Sequence, residues 1–411
     1  MSRPFYEDSP LLPQTRVVVD LGAVAHNISV LKGLLSTQTR LMAVVKANAY
    51  GHGTIQVAKT VLEKGAHWLA VARISEAVEL REAGIDAPIL LFGDVLPGQV
   101  PFLAAHDIRV TLTCLESARA IAEIARGQEK KLKVHIKVDT GMGRLGILHD
   151  QFATPDQFVR PDPPPKTDNS PDHPLQCYEE ILAIQDLEGI EIEGIYTHLA
   201  NADARNKAHT LRQISRFKLL INELAQKGLS PPIIHAANSA AVIDMPESHF
   251  NMVRPGIAIY GLWPSGNVDR TRVRLKPAMS IRSKIIHLKN VAKGFKISYG
   301  STHVTQIATH IATIPIGYAD GYNRNLSSKG EMIVRGSRAR ITGRICMDFT
   351  MIDVGHISRA VPGDEVVILG SQGEETITAT DIANKLGTIN YEVVAALTRR
   401  MPICYIHPGE K

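Results

Sequence analysis

Residues 41–72 read LMAVVKANAYGHGTIQVAKTVLEKGAHWLAVA, and they show the pattern that repeats through the first two-thirds of the chain. The stretch begins and ends with a short apolar run, at 41–45 and at 68–72, and a helical pattern lies between them. Neither run alternates polar and apolar residues, so each is predicted to be a strand buried on both faces, as parallel strands are. The stretch therefore predicts a strand–helix–strand unit of a parallel sheet.

Eight such runs alternate with helical patterns over roughly 250 residues, the size of a (β/α)8 barrel. They lie at 41–45, 68–72, 89–92, 108–112, 134–138, 190–196, 233–236 and 252–260. One buried helix face, ending at Gly228, is predicted by the spacing of Leu211, Ile214, Phe217, Ile221 and Leu224. A doubly wound open sheet is the alternative, but no GxGxxG motif follows the first strand. We therefore expect an α/β protein built on a (β/α)8 barrel.

The pattern changes near residue 263, where β-branched residues become frequent in short pieces separated by glycine turns. This pattern of short β-branched segments between turns predicts a mostly-β C-terminal domain over 266–411, after a barrel over 21–265. Residues 1–20 contain the strand-like TRVVVD, which we expect to pair with the β domain. A Pro-rich insert at 150–174 follows the fifth strand, and it is predicted to be an exposed loop, a tolerated insertion rather than a lid.

Composition excludes several classes of protein. The 411 residues carry 46 Lys and Arg against 41 Asp and Glu, and no run of five basic residues occurs, so no nucleic-acid surface is expected. No apolar stretch approaches the roughly 18 residues that would suggest a membrane span. Four widely spaced cysteines without a CxxC pair indicate a reducing compartment, and the N-terminus lacks the apolar segment of a signal peptide. We expect a cytoplasmic protein.

The end of the first barrel strand carries a lysine. Active sites of barrels lie at the carboxyl ends of the strands, and Lys46 directly follows the run 41–45. A lysine there is partly desolvated, which lowers its pKa and favours a nucleophilic amine able to form a Schiff base with a carbonyl group. A lysine that extends into solvent is the alternative. Tyr50 adds a hydroxyl, and Gly51 and Gly53 permit close approach of the backbone.

Further strand ends carry groups suited to anionic ligands. Lys137, Asp139 and Arg144 share the end of the fifth strand, where an arginine suits a carboxylate, a surface ion pair with Asp139 being the alternative. Arg254 lies at the eighth strand end. Barrels commonly bind phosphate with the loops after the seventh and eighth strands, a position that Ser239, Gly256 and Ile257 occupy.

Histidines near the strand ends raise the alternative of a metal-dependent barrel hydrolase. The candidate ligands are His135, His198, His235 and Asp139. No HxH pair lies on the first strand, and the lysine and two arginines at the same strand ends would repel a divalent ion. We therefore expect no metal.

Nine segments closely resemble the bacterial alanine racemase family, whose members are pyridoxal 5'-phosphate (PLP) enzymes with a barrel followed by a β domain. In chain order they are AVVKANAYGHG, DTGMGRLG, YTHLANAD, NSAA, VRPGIAIYG, ISYG, IPIGYADGY, GRICMD and INYE. The resemblance covers nearly the whole chain outside the first dozen residues and the Pro-rich insert.

The resemblance implies a role in cofactor binding for many of these residues. Lys46 matches the lysine that holds PLP covalently, and Arg254 matches the arginine that faces the pyridine nitrogen. His198 and His235 match residues that support this layer, His198 beside the cofactor ring. The groups that hold the phosphate in the family correspond to Tyr50, Ser239, Gly256, Ile257 and Tyr391.

The resemblance also implies two catalytic bases, one on each face of the substrate α-carbon. Lys46 matches the base that acts on the D enantiomer, and Tyr299 matches the base for the L enantiomer, which the partner subunit of a homodimer supplies. Arg144 and the backbone N–H of Met347 match contacts to the substrate carboxylate. The gate on the entry path corresponds to Tyr318, and Lys137 matches a position that is carbamylated in some members.

These matches predict a homodimeric enzyme that interconverts L- and D-alanine and supplies D-alanine for peptidoglycan. A racemase of serine or another small amino acid is one alternative. A non-catalytic PLP-binding protein of the single-barrel kind is another, although it leaves the β domain, Tyr299 and Met347 unexplained. PLP-dependent barrel decarboxylases fit less well, because that family places an acid where this chain has Arg254.

Overall fold

Two sheets organise the chain in the computed structural model, which describes residues 14–93, 95–149, 176–407 and 409. The predicted insert at 150–174 lies outside the described residues. The strands up to residue 253 are β1 (Arg16–Asp20), β2 (Arg40–Val44), β3 (Trp68–Val71), β4 (Ile89–Leu91), β5 (Ile108–Leu112), β6 (Leu132–Asp139), β7 (Ile147–Leu148), β8 (Ile190–Tyr196), β9 (Ile233–His235) and β10 (Met252–Val253).

Helices alternate with these strands and cover the outside of the sheet. They are α1 (Leu21–Lys32), α3 (Thr54–Glu63), α4 (Ile74–Glu82), α5 (Val100–Ala105), α6 (Leu115–Ala125), α7 (Cys177–Gln185), α8 (Ala208–Gln226) and α9 (Ser239–Asp244). The short segment α2 (Lys46–Tyr50) differs from them, because its backbone is left-handed and it lies at the end of the first barrel strand.

The first sheet closes into the predicted (β/α)8 barrel. Its parallel strands follow the order β5-β4-β3-β2-β10-β9-β8-β6, and pairing of β5 with β6 completes the circle. Most side chains of these strands are buried on both faces, which accounts for the continuous apolar runs in the sequence. The barrel prediction is confirmed.

Two sequence expectations are wrong in detail. The run 252–260 forms only the two-residue strand β10, followed by a 3₁₀ helix at Ile257–Tyr260, because Pro255 has no N–H to continue a ladder. On α8, Leu211 is 48% exposed although it fits the apolar spacing. The buried face of that helix is shifted, and it consists of Thr210, Gln213, Ile214, Phe217, Leu220 and Leu224.

The second sheet forms the mostly-β domain. The strands and α-helices of this domain that follow the barrel are β11 (Met279–Lys284), β12 (His287–Val291), β13 (Lys296–Ile297), β14 (His303–Val304), β15 (Thr309–Ile314), β16 (Glu331–Val334), β17 (Ser337–Ile341), β18 (Thr350–Asp353), β19 (Glu365–Gln372), β20 (Glu375–Ile377), α10 (Ala379–Leu386), α11 (Asn390–Ala395) and β21 (Ile403–Ile406). The order is β12-β15-β18-β17-β16-β19-β11-β1-β21, with β20 beside β19 and the hairpin β13-β14 separate. Strand β1 lies between β11, to which it is antiparallel, and β21, to which it is parallel.

The two domains meet at the carboxyl end of the first barrel strand. A Cβ atom on Gly51, just after α2, would lie 2.1 Å from the carbonyl oxygen of Val394 in α11. The rings of Tyr50 and Tyr391 have their centroids 6.2 Å apart across the same contact. The β domain therefore forms part of the barrel mouth. Within the described part of the chain, no helix combines the length and apolar character needed to cross a bilayer.

Candidate active site

A cavity of about 750 Å³ lies at the carboxyl ends of the barrel strands. It is lined by ten residues that the sequence selected: Lys46, Tyr50, Lys137, Arg144, His198, Ser239, Arg254, Gly256, Ile257 and Tyr391. Nine of these come from the barrel, and Tyr391 comes from α11 of the β domain. Side chains that are far apart in sequence thus share one solvent-accessible space, as the strand-end argument requires.

Lys46 begins a left-handed turn. The next four residues, Ala47, Asn48, Ala49 and Tyr50, have φ angles of 54°, 53°, 50° and 54°. Left-handed backbone costs about 1–2 kcal/mol for each residue with a Cβ atom, so other contacts must hold the turn. Both Lys46 and Tyr50 line the same cavity.

Side chains from three directions hold this turn. The carboxylate of Glu76 accepts a hydrogen bond from Ala47 N–H at 2.6 Å, and it also accepts bonds from Ala72 N–H and Arg73 N–H. His52 Nδ1 contacts the carbonyl oxygens of Ala49 and Tyr50 at 3.1 and 2.9 Å. Asn48 Oδ1 accepts from Thr54 N–H at 3.1 Å, which ties the turn to the start of α3.

The environment of Lys46 favours its neutral amine. Burial lowers the pKa of the Lys46 ammonium, and the positive charge of Arg144 lowers it further, while Glu76 acts in the opposite direction. The amine thus has both the position and the electrostatic surroundings expected of a nucleophile and proton acceptor.

A group of donors lies at the end of the cavity formed by Ser239, Gly256 and Tyr50. Ser239 Oγ accepts hydrogen bonds from Gly256 N–H at 2.8 Å and Ala258 N–H at 3.3 Å. These bonds connect the segment after the seventh barrel strand to the segment after the eighth. A Cβ atom on Gly256 would lie 2.6 Å from the hydroxyl oxygen of Tyr50, so only glycine permits this approach. Burial raises the pKa values of Tyr50 and Tyr391, and both hydroxyls remain donors at neutral pH.

Arg254 lies on the cavity wall, 3% exposed, and is held by neutral acceptors. Its Nη1 lies 2.8 Å from His235 Nδ1, and its Nη2 donates to the carbonyl oxygens of Thr197 at 2.8 Å and Ala236 at 3.1 Å. Burial lowers the pKa of Arg254 to about 10, so the guanidinium is cationic at neutral pH. Burial, together with Arg254, also keeps the pKa values of His198 and His235 well below their usual range.

The fifth strand end presents Lys137 and Arg144 to the cavity. The carboxylate of Asp139 accepts backbone N–H groups of residues 141–144 at 2.8–3.1 Å, so it shapes the turn that carries Arg144. Lys137 is 4% exposed, and its Nζ has no hydrogen-bond partner among the described residues. Burial and then the charge of Arg254 lower the pKa of Lys137 to about 7.

Four of the selected residues do not line the cavity. His235 lies behind it, fully buried against Arg254. The other three are exposed on the β domain: Tyr299 is 69% exposed, Tyr318 42% and Met347 52%. Backbone bonds from Tyr318 N–H to Cys346 O and from Ala319 N–H to Met347 O connect two of them. We call Tyr299, Tyr318, Met347 and the half-exposed Phe349 the β-domain face.

Sequence reasoning missed several residues that line the cavity, and it missed Glu76, which supports the turn after Lys46. Tyr196 ends β8 and stacks on His235 with ring centroids 4.7 Å apart, and its hydroxyl lies 2.9 Å from Thr111 Oγ1. Its place two residues before His198, at a strand end, was a usable signal. Glu76 lies on α4, and no pattern in the sequence connects it with Lys46. The remaining lining residues that were not selected include Phe92, Asn238, Asp203 and Glu392.

The histidines of the hydrolase alternative contact one another instead of converging on a metal position. His135 Nδ1 lies 2.9 Å from His235 Nε2. Asp139 is occupied by backbone N–H groups. Over the described ranges, no group of three His, Cys, Asp or Glu side chains is arranged to hold a metal ion.

Comparison with known proteins places this arrangement in a family. The alanine racemase N-terminal domain matches residues 19–158 and 173–264, and the alanine racemase C-terminal domain matches 278–405. An alanine racemase of Methanococcus maripaludis is 45% identical over 389 residues, which are 95% of this chain and 98% of the relative. The chain belongs to the alanine racemase family. A second member, from Desulfosudis oleivorans, is 47% identical over 94% of this chain and 95% of the relative.

Solved alanine racemases share the fold. The structure from Bacillus anthracis with bound L-Ala-P has a TM-score of 0.87 at 36% identity, over 98% of this chain and 97% of that chain. The alanine racemase of Clostridium difficile 630 gives a TM-score of 0.87 at 36% identity, over 97% of both chains.

The left-handed turn predicts an unusual response to glycine. Replacing Ala47 with glycine removes the clash between Cβ and the backbone, so Ala47→Gly should raise the free energy of unfolding, by up to about 1 kcal/mol. The same change at exposed Ala225, in the last turn of the right-handed helix α8, should lower it by less than the roughly 1 kcal/mol that glycine costs in a helix interior. Urea unfolding of both variants measures the two signs. A loss of stability in Ala47→Gly as large as in Ala225→Gly would contradict the strained turn.

Proposed function

We propose that this protein interconverts L- and D-alanine with PLP as cofactor, and that it supplies D-alanine for peptidoglycan. The observation that carries the proposal is the convergence of Lys46, Arg254 and the donors around Gly256 on one cavity of a chain in the alanine racemase family.

The residues present fit PLP. Tyr50, Tyr391, Ser239 and the loop at Gly256 form a cradle of donors suited to a phosphate, and the lack of a Cβ atom on Gly256 lets the Tyr50 hydroxyl lie against this loop. Lys46 supplies a partly buried amine for a covalent bond to the aldehyde carbon. Arg254 presents a fixed cation beside His198, where a cation disfavours protonation of the pyridine nitrogen.

Lys46 and Arg254 have separable tasks in this proposal. PLP, when bound to the substrate amine, withdraws electrons from the α-carbon and so makes its hydrogen acidic. Lys46 Nζ then accepts or returns that proton on one face, because its lowered pKa leaves a fraction of the amine neutral. Arg254 keeps the electron withdrawal moderate, and this favours return of the proton to the α-carbon.

Tyr299 is proposed as the base for the other face, supplied by the partner subunit of a homodimer. The described lining of the cavity does not contain Tyr299, Tyr318 or Met347, yet all three are exposed on the β-domain face. An exposed group of large apolar and aromatic residues is typical of an interaction surface. A second copy that covers this face would bring the Tyr299 hydroxyl and Met347 N–H to the cavity, and Arg144 with Met347 would bind the substrate carboxylate. Tyr318 would then restrict entry.

We place the protein in the cytoplasm. All four cysteines lie in the described residues and none forms a disulfide, which agrees with a reducing compartment. A preference for serine or another small amino acid remains the alternative within the family, and the assay below includes it. A non-catalytic PLP-binding role would require bound PLP without turnover.

Lys137 is proposed to be carbamylated. Its neutral amine is available near pH 7. Attack on the carbon of CO2 forms a C–N bond and breaks one C=O π bond, whose electron pair moves to oxygen, and the amine proton goes to solvent. The resulting anion would lie close to Arg254 and Arg144, whose positive charges now lower the pKa of Lys137. Protein incubated with 13C-bicarbonate should show a carbamate 13C resonance that is missing in Lys137→Ala. The same resonance in the variant would refute the assignment.

Racemisation is tested with purified protein, PLP and L-alanine in D2O, followed by chiral separation and mass analysis of both enantiomers. We expect D-alanine with deuterium on the α-carbon, because the proton removed on one face is replaced from solvent on the other. L-Serine run in parallel measures substrate preference. Faster turnover of serine would favour the alternative substrate, and absence of D-alanine and D-serine despite bound PLP would favour the non-catalytic role.

Tyr299→Phe should retain PLP and lose about 10²- to 10⁴-fold in kcat for L-alanine, the usual contribution of a positioned general acid or base. Tyr178→Phe, a change on α7 of the barrel, serves as the matched control and should keep kcat. Mixing Lys46→Ala with Tyr299→Phe should restore up to about a quarter of the activity, because random dimers of two-fold symmetry include hybrids with one intact site. No recovery in a mixture that forms hybrid dimers would contradict a shared site.

A further inference from the structure

A line of buried polar side chains connects the cavity with the opposite end of the barrel. Arg254 Nη1 lies 2.8 Å from His235 Nδ1, and His235 Nε2 lies 2.9 Å from His135 Nδ1. On its far side, His135 Nε2 lies 3.5 Å from Glu193 Oε2 and has no closer polar partner among the described residues. Both imidazoles have no exposed surface. We call Arg254, His235, His135 and Glu193 the axial chain.

Glu193 is anchored at the amino-terminal ends of the strands. Arg109 Nε lies 3.0 Å from Glu193 Oε2, and Lys133 Nζ lies 3.7 Å from Glu193 Oε1. Arg109 is itself fixed by Asp107 at 2.7 Å and by the Trp68 ring, whose centroid is 5.0 Å from its Cζ. The carboxylate is therefore held in place at the end of the barrel opposite the cavity.

The backbone makes room for this line. A Cβ atom on Gly194 would lie 2.5 Å from His135 Nδ1, so the strand next to His135 requires glycine at this position. The register between β6 and β8 also shifts between Val134 and His135. A glycine and a register irregularity at the same level indicate that the barrel is adapted to the two histidine rings, rather than filled by the apolar layers usual in such barrels.

The two ends of the axial chain determine where its protons lie. An arginine only donates hydrogen bonds, so His235 Nδ1 must be the acceptor and His235 must carry its proton on Nε2. That N–H donates to His135 Nδ1, which places the His135 proton on Nε2, facing Glu193. An ionised carboxylate only accepts, so it matches this order. The reverse order would oppose two donors at Arg254.

The electrostatic environment agrees with neutral rings between two charged ends. Burial keeps the pKa of His235 well below its usual range, and burial also lowers the pKa of His135 despite the opposing effect of Glu193. Burial alone would raise the pKa of Glu193, but His135 and Arg109 lower it to about 2. No described carboxylate lies within ion-pair distance of Arg254. Two hydrogen bonds connect this cation to His135, and His135 faces Glu193 across a longer contact of 3.5 Å.

We propose that Glu193 is a positioning residue of the active site: it fixes the proton order of His135 and His235, and so holds Arg254 in the orientation that the cavity requires. Its effect on catalysis rests on the proposed function, whereas the proton order does not. Without the carboxylate at position 193, the buried His135 Nε2–H would lose its nearest acceptor, the order of protons could reverse, and Arg254 would lose a fixed partner.

Neutron diffraction from crystals of the PLP-bound protein in D2O tests the proton order directly. We expect one deuteron on each ring, on Nε2 of His235 and on Nε2 of His135. A deuteron on Nδ1 of either ring, or two deuterons on one ring, would overturn the proposal. This result is independent of whether the protein racemises alanine.

Three variants test the consequence for the active site. Glu193→Leu should lower kcat for L-alanine about tenfold and change KM less than about twofold, as expected for one buried donor left unpaired. Glu193→Gln, whose amide oxygen can accept from His135, should recover kcat to within about threefold of wild type. Glu191→Leu, an exposed change on the same strand, is the control and should leave kcat unchanged.

Wild-type kcat in Glu193→Leu would overturn the positioning role. An equal loss in the leucine and glutamine variants would assign the effect to charge instead of proton order, and this would also overturn it. If Glu193→Leu does not fold, the deuteron positions in the neutron map still decide the proton order that the proposal assigns. Loss of racemisation in wild type would refute the proposed function and leave the proton order to the neutron map.

Discussion

The burial of Arg254 is the constraint on which the arrangement of the cavity depends. A guanidinium that is 3% exposed must satisfy its donors within the protein, and here it does so with backbone carbonyls and imidazole nitrogens instead of a carboxylate. Neutral acceptors leave the positive charge uncompensated at close range. Burial lowers the pKa values of Lys137 and His198, and that charge lowers them further. The buried cation thus adds to the effect of burial on its neighbours in the cavity.

The left-handed turn after Lys46 is contacted by both domains, and both therefore help to form this cavity. Glu76, His52 and Asn48 hold the turn from the barrel side, and α11 of the β domain closes against Gly51 from the other. The turn presents both Lys46 and Tyr50 to one space. Strain in the backbone is therefore part of how the site is positioned.

The fold and most of the cavity could be predicted because both follow from local pattern. Buried parallel strands give continuous apolar runs, and a barrel collects the residues at their ends, so Lys46, Arg144 and Arg254 were found from position alone. Glu76 and Glu193 could not be found, since each acts through a neighbour distant in sequence, and a carboxylate on a helix or strand has no pattern of its own. The expectation that Leu211 is buried was wrong, because helix periodicity predicts which residues share a face but not which part of that face other elements contact. Tyr299 was selected only through the family resemblance, because the residues around it in the sequence do not distinguish it from an ordinary tyrosine of a strand.

Strand β1 has a consequence for the way the protein is made. Because it lies between β11 and β21, the first and last described strands of the chain belong to one sheet, and the barrel is in effect an insertion within the β domain. Barrel strands pair mainly with sequence neighbours and can form as the chain emerges. Strand β1 can pair with β21 only when residues 403–406 have left the ribosome. At ordinary rates of synthesis this takes about 20–80 s for 411 residues. During that time one edge of β1 has no partner from β21, so the nascent chain exposes a strand edge that a folding helper or a neighbouring chain can reach before its own C-terminus does.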